Sequence, residues 1–325
     1  METRKLQKTG GSTYIISLPK HWVTENNLKS GDGVEIDVDA KALRIKNPMI
    51  GQSVKRISII MNKDKKTLER HLISAYIKGF DSIELVKKSI IGTEEKEGVR
   101  DLLSRYMGLE ITNERTNLIE INSILSSEGL SIRSSIRRLS TITESMLEDL
   151  IKALEKKNLK VYDDVMRRDY DVNRLSLFIL RRCHEVLEGD VDEGIRKNEI
   201  PDILLFARTI ERIADHTKNI AANLKLGSYK KSEVKWLIKT GYLIRDLFKE
   251  STNAFFKKDM KRANEMIDES RNMANSIHKK IYSLKETSIN LASIMESYSR
   301  CFYYISDLCE IVLNHTIEDY SDKSV

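Results

Sequence analysis

From about residue 130 to residue 320 the apolar residues recur at helix spacing, Leu147, Leu150, Ile151 and Leu154 among them, and little interrupts them. The 325-residue chain holds 3 prolines and 14 glycines, so long unbroken helices are expected. Long helices with short connections pack as an up-and-down bundle. No apolar run approaches ~20 residues, the length needed to span a bilayer, so no membrane insertion is expected.

The helical part repeats itself. Ala153-Leu154-Glu155-Lys156-Lys157-Asn158-Leu159-Lys160 returns 101 residues later as Ala254-Phe255-Phe256-Lys257-Lys258-Asp259-Met260-Lys261. Arg208 and Asp215 return only 92 residues later, as Arg300 and Asp307, which places a longer connection in the first copy around 187–198. Two homologous three-helix units are expected, each too small to bury its core well alone.

The chain ahead of the helices changes character twice. In residues 1–50, Val34, Ile36 and Val38 alternate with acidic residues, and Leu43 and Ile45 alternate with Arg44 and Lys46. Ser30-Gly31-Asp32-Gly33 reads as a tight turn, 14–18 as a strand, and 20–28 as the one short helix. Next come a strand over 54–61, a helix over 64–78 ended by Gly79, a strand over 81–86, a helix over 94–107 stopped by Gly108, and a hairpin of 109–113 with 117–124. That βαβαββ order predicts a small sheet with helices on one face. The expected organisation is multidomain: a small β domain over 1–50, a small α/β domain over 51–125, and an all-α domain of two three-helix bundles over 126–325.

A net charge of +6 permits nucleic-acid binding without demanding it, so local clusters matter more. Arg4, Lys5, Lys8 and Lys20 place cations around the first strands, where they and the turn amides of Gly10 and Gly11 suit phosphate contacts. The same charges also suit a plain solvated edge strand. Cys183, Cys301 and Cys309 form no CxxC pair, which fits reduced thiols better than a disulfide framework. Met1 to Lys8 is charged and leads into no apolar stretch, so a cytoplasmic protein is expected.

Read in order, Lys8-x-Gly10-Gly11-Ser12, Ile16-Ser17-Leu18-Pro19-Lys20 and Leu28-x-x-Gly31-Asp32-x-Val34-x-Ile36 resemble the AbrB/MazE-type swapped-hairpin DNA-binding domain over about residues 3–48. The resemblance implies a homodimer that shares strands, with DNA contacts from Arg4, Lys5, Lys8, Ser12 and Lys20. Ser17 departs from the arginine that MazE-like members often carry two residues before the proline.

In the helical part, Arg208, Glu211, Asp215 and Asn219 fall on one stripe of a helix. Glu211 and Asp215 are like charges at i,i+4, a mild repulsion that a divalent or ferric ion would relieve, since hard cations prefer oxygen ligands. A solvated polar face balanced by Arg208 and Arg212 fits the same spacing. His216 projects ~100° from Asp215 and reads as structural. The run Glu211-Arg212-Ile213-Ala214-Asp215-His216-Thr217-Lys218-Asn219-Ile220-Ala221 closely resembles the signature of PhoU, the phosphate-uptake regulator, and Arg168-Asp169-Tyr170-Asp171-Val172-Asn173-Arg174-Leu175 resembles its partner motif. The resemblance covers about 130–320 and implies a metal site at Glu211, Asp215 and Asp169. Asn173 stands where the partner motif usually has a second Asp. In the second repeat Tyr303 replaces Glu211 and Ile311 replaces Asn219, so the metal pattern is incomplete there.

No paired acid and base, activated nucleophile or phosphate-cradling glycine loop is evident, so no enzyme is expected. The combined expectation is a DNA-binding transcriptional regulator of phosphate uptake with a metal-binding sensing domain. The alternatives are a partner-binding modulator of a phosphate transporter or sensor kinase, and a metal-dependent hydrolase.

Overall fold

Two hairpins and a short helix make up the start of the chain. In the computed structural model, which describes residues 2–39, 42–48, 54–61, 64–124, 130–189, 191–283 and 288–321, the backbone divides into two units, Met1–Val54 and Lys55–Val325. In the first, β1 (Gln7–Thr9) and β2 (Thr13–Ile15) pair antiparallel with Lys8 opposite Tyr14. Gly10 adopts φ +64 in the turn between them, a conformation that favours glycine. Pro19 precedes α1 (Lys20–Glu25), and β3 (Glu35–Asp39) pairs antiparallel with β4 (Ala42–Lys46), setting Ile36 opposite Ile45 and Val38 opposite Leu43. The strand expected over 14–18 ends at Ile15, and the helix expected over 20–28 ends at Glu25. No described residue of this unit is buried.

The second unit opens with the βαβαββ order read from the sequence: β5 (Arg56–Ile60), α2 (Lys65–Ile77), β6 (Ser82–Val86), α3 (Thr93–Leu103), β7 (Leu109–Glu114) and β8 (Leu118–Ser123). The sheet runs β5-β6-β8-β7, with β5 and β6 parallel across the α2 crossover and the other pairs antiparallel. The Asp64 side chain caps α2 by accepting from the Lys66 amide, and Gly79 (φ +75) follows its end. Alternate residues Ile83, Leu85, Ile119 and Ile121 form one buried face, packed in one core with Leu72 and Tyr76 of α2 and Leu102 of α3.

The helices α4 (Ile132–Lys156), α5 (Leu159–Glu188) and α6 (Ile200–Leu226) form the first repeat, and α7 (Lys231–Lys257), α8 (Met260–Ser283) and α9 (Ile289–Ser321) the second. Lys157 and Lys258, 101 residues apart, both end their helices in the left-handed region, at φ +53 and +54. One apolar core runs through both repeats. Gly241 sits inside α7 because a Cβ there would lie 2.9 Å from Ile151 and 3.1 Å from the Tyr298 hydroxyl, so α4, α7 and α9 approach closely at this point. The longer first-copy connection is present after Gly189 and includes a 3-10 turn, Lys197–Glu199. Among the described residues no helix is long and apolar enough to cross a membrane.

A chain of charges fastens the sheet to α5. Arg181, whose side chain is 2% exposed, donates to the carbonyls of Tyr76 and Phe80 (3.3 and 2.9 Å) and to Asp81 Oδ1 (3.0 Å), and its Nε lies 2.7 Å from Glu185 Oε1. Glu185 also accepts from Arg182 at 2.8 Å, Arg182 donates to Glu193 Oε1, and Glu193 Oε2 accepts the Ile132 amide at the start of α4 at 2.6 Å. Removing one member leaves the others desolvated and unpaired. Arg181→Met should therefore lower the unfolding free energy by about 3–5 kcal/mol, read by urea denaturation; a loss below about 1 kcal/mol, within the range of an exposed pair, would show that the chain is not stabilising.

Candidate functional site

Two places in the chain gather the residues singled out from the sequence. The first is the β1–β2 hairpin. Lys8 lies in β1, Ser12 in the turn, and Arg4 and Lys5 lead into the strand, so these four share one small element, and all are exposed. Arg4 pairs with Glu2 at 2.6 Å, an exposed contact that solvent screens. Lys20 lies apart from them in the chain, at the first position of α1, where it is exposed and its carbonyl accepts the Thr24 hydroxyl. Around them Leu6, Tyr14, Ile15, Ile16, Ile36, Val38 and Leu43 are each at least 46% exposed.

The second is the seam between α5 and α6. Helical spacing puts Glu211 and Asp215 one turn apart on α6, and packing against α5 brings up Asp169. Asp169 is buried at 4% exposure; its Oδ2 accepts from Lys218 at 2.6 Å and from the Asn173 amide at 3.1 Å, while its Oδ1 has no donor. Burial raises the Asp215 pKa first, and the adjacent Asp169 carboxyl raises it further by charge and hydrogen bonding. Burial likewise raises Glu211, partly offset by Arg208, whose guanidinium is 3.6 Å away.

The two arginines offered as counter-charges separate. Arg208 stays beside Glu211, whereas Arg212 stands over the Tyr304 ring of α9, 5.8 Å from its centroid. The cation that the sequence reading missed is Lys218. Its signal is the i,i+3 spacing from Asp215, which puts it on the same stripe. Asn173, at the position where a second Asp is usual, serves as a donor to Asp169. His216 packs toward Tyr304 with its ring centroid 5.6 Å away, and burial lowers its pKa.

The donors at this seam are all oxygen, the kind a hard cation prefers, and they include one buried carboxylate atom lacking a donor and two carboxyls whose ionisation burial opposes. As the side chains stand, Lys218 holds the counter-charge, and among the described residues no three His, Cys, Asp or Glu side chains form a ready ligand group. The second repeat offers less. The offset of 101 places buried Ser270 opposite Asp169, and Tyr303 donates to Asn275 at 3.0 Å.

Two family models match separate stretches of the chain. Residues 7–49 match the model described as antidote-toxin recognition MazE, bacterial antitoxin, and residues 136–224 match the PhoU domain. The MazE match falls within the first unit, and the PhoU match spans α4 to α6. Among solved structures it is similar to PhoU from Pseudomonas aeruginosa (TM-score 0.51, 16% identity, 57% of this chain and 96% of that one). It is also similar to the phosphate transport system regulatory protein PhoU from Streptococcus pneumoniae (TM-score 0.48, 18% identity, 57% of this chain and 92% of that one). No curated protein matches.

The raised pKa of Asp215 fixes a sign. A carboxyl with a folded pKa above its unfolded one binds its proton more tightly in the folded state, so its contribution to stability is present below the unfolded pKa and is lost as pH rises through the folded one. In chelator-treated protein, Asp215→Asn should therefore raise the melting temperature at pH 8 and leave it nearly unchanged at pH 3. Equal shifts at both values would contradict the placement of Asp215 against Asp169.

Proposed function

We propose that the chain is a cytoplasmic DNA-binding transcriptional regulator of phosphate uptake whose PhoU domain binds a metal ion. The observation that carries the reading is the union in one chain of an exposed hairpin, inside the stretch that matches the MazE model and led into by Arg4 and Lys5, with a stretch that matches the PhoU domain. Arg4, Lys5, Lys8 and Ser12 would meet DNA phosphates from that hairpin, with Lys20 joining from α1. The exposed apolar side chains of the first unit support a homodimer, since a second copy would bury what one copy leaves in water. The phosphate-uptake part rests on the PhoU domain.

Asp169, Glu211 and Asp215 would hold a divalent or ferric ion. When bound, the ion supplies the positive charge that Lys218 supplies in its absence. For metal, phosphate status or a transporter or signalling protein to alter DNA binding, that ligand must favour one of two conformations of the chain.

The purified protein should bind DNA from upstream of phosphate-transport genes more tightly than a scrambled duplex, with an affinity that falls steeply with salt. Lys5→Ala with Lys8→Ala should reduce the slope of log K against log salt by about one for each phosphate that is no longer neutralised. Weak binding, equal for both duplexes, would overturn the regulator reading and favour a protein-partner modulator of a transporter or kinase. Titration calorimetry with Mn2+ tests the metal part separately: Glu211→Gln with Asp215→Asn should abolish the binding heat, and undiminished heat would remove the metal from these residues.

A further inference from the structure

The turns between α4 and α5, between α6 and α7 and between α8 and α9 gather at one end of the bundle. Lys225 pairs with Asp163 at 2.6 Å, which joins the end of α6 to the start of α5, and the Asn223 amide donates to Ser293 at 3.2 Å, which brings in the start of α9. The Tyr242 hydroxyl donates to Glu155 at 3.1 Å, so α7 meets the end of α4. Lys280 stands 4.0 Å from the Trp236 ring centroid, so the end of α8 meets the start of α7. Charge at this end is one-sided. The stretches 154–160, 225–233, 279–283 and 288–292 hold eight lysines against two acidic residues, Glu155 and Glu233. All eight lysines are exposed, and among the described residues Lys156, Lys157, Lys160, Lys231 and Lys279 pair with no carboxylate.

Apolar side chains project among these lysines. Leu226, Tyr282 and Ile289, at 78%, 86% and 88%, are the three most exposed large apolar side chains among the described residues, and Leu159 adds a fourth at 56%. Single exposed leucines are ordinary, but here each of the three turns brings both lysines and an apolar tip. A nucleic acid would satisfy the lysines and leave Leu226 and Ile289 against phosphate and water. A bilayer surface takes both kinds of group: anionic headgroups attract lysine, tyrosine suits the headgroup level, and short apolar tips enter the boundary with the acyl chains. We propose that this end of the bundle docks reversibly on an anionic lipid surface, with Leu159, Leu226, Tyr282 and Ile289 entering the headgroup layer and the lysines around them meeting lipid anions. The chain then lies on the bilayer without crossing it, in keeping with the lack of a spanning helix among the described residues. The surface is separate from the carboxylate seam, and it depends on neither the DNA nor the metal reading.

Co-sedimentation of the full-length protein with vesicles tests the proposal. Vesicles of phosphatidylglycerol and phosphatidylcholine in equal parts should bind the protein, pure phosphatidylcholine should not, and binding should weaken as salt is raised. Lys156→Ala with Lys157→Ala should weaken it about twentyfold, since each lysine at an anionic surface contributes about fivefold. Leu226→Ser with Ile289→Ser should weaken it about tenfold or more at unchanged charge, because the apolar tips no longer enter the lipid. The melting temperature of that variant should not fall, since both side chains already stand in water. Lys5→Ala with Lys8→Ala should bind the mixed vesicles like the parent, which separates this end from the hairpin of the first unit. Equal binding to both kinds of vesicle, or to neither, would overturn the inference and leave the lysines to an acidic protein partner. Binding that the hairpin variant abolishes and both bundle-end variants retain would also overturn it. So would a loss in the lysine variant with none in the Leu226 and Ile289 variant, which would mark a general polyanion surface.

Discussion

A run of ionised side chains, Asp81, Arg181, Glu185, Arg182 and Glu193, decides where the small sheet sits on the bundle. It begins where Asp81 accepts the Lys55 amide at 3.2 Å and ends on the first amide of α4. Buried ions are expensive unless every partner is present, so such a chain contributes more to selecting one arrangement than to net stability. Leu and Ile side chains could pack the same surfaces in several registers; the arginine forks accept one. Because α5 carries both arginines, its position is fixed relative to the sheet. Asp169 sits on the same helix, so the carboxylate seam takes its geometry from that attachment.

The two units differ in how they satisfy the demand for a core. The larger one buries a continuous apolar interior through both repeats and a second interior under the sheet. The smaller one has two hairpins and a six-residue helix and buries nothing among its described residues. Backbone pairing alone does not stabilise a hairpin in water, and about three strands with a hydrophobic face are normally required. In the proposed homodimer the exposed Tyr14, Ile15, Val38 and Leu43 would form part of the interface.

Periodicity and turn chemistry made much of this legible in advance. The βαβαββ order and the helical bundle follow from spacing, and Asp64 and Gly79 mark boundaries where the backbone needs a cap or a positive φ, whereas the helix expected to run over 94–107 to Gly108 ends at Leu103. The strand over 14–18 is where local reading stopped short: its apolar run suits extended backbone, yet past Ile15 no described strand pairs with it. Pairings between distant segments were beyond reach. Lys218 meets Asp169 across 49 residues and Arg181 meets Asp81 across 100, and no spacing rule on a single helix exposes either. Asp169 itself came from the resemblance between its motif and a family pattern, whereas Glu211 and Asp215 were visible as one turn of one helix.

The two repeats share a left-handed lysine at the same point, but their other ends have diverged. At the offset that matches Lys157 with Lys258, the counterpart of the buried Arg181 is Tyr282, which is 86% exposed. The added length after α5 is where Glu193 sits, reaching back to α4. A duplicated bundle that carries cargo on one copy has to give up its internal symmetry at the attachment. Here the loss is local: one helix end serves as a mooring where its twin faces solvent, with a lengthened loop to complete it. The other copy keeps the plainer design, with Tyr282 in water at the corresponding position of its helix.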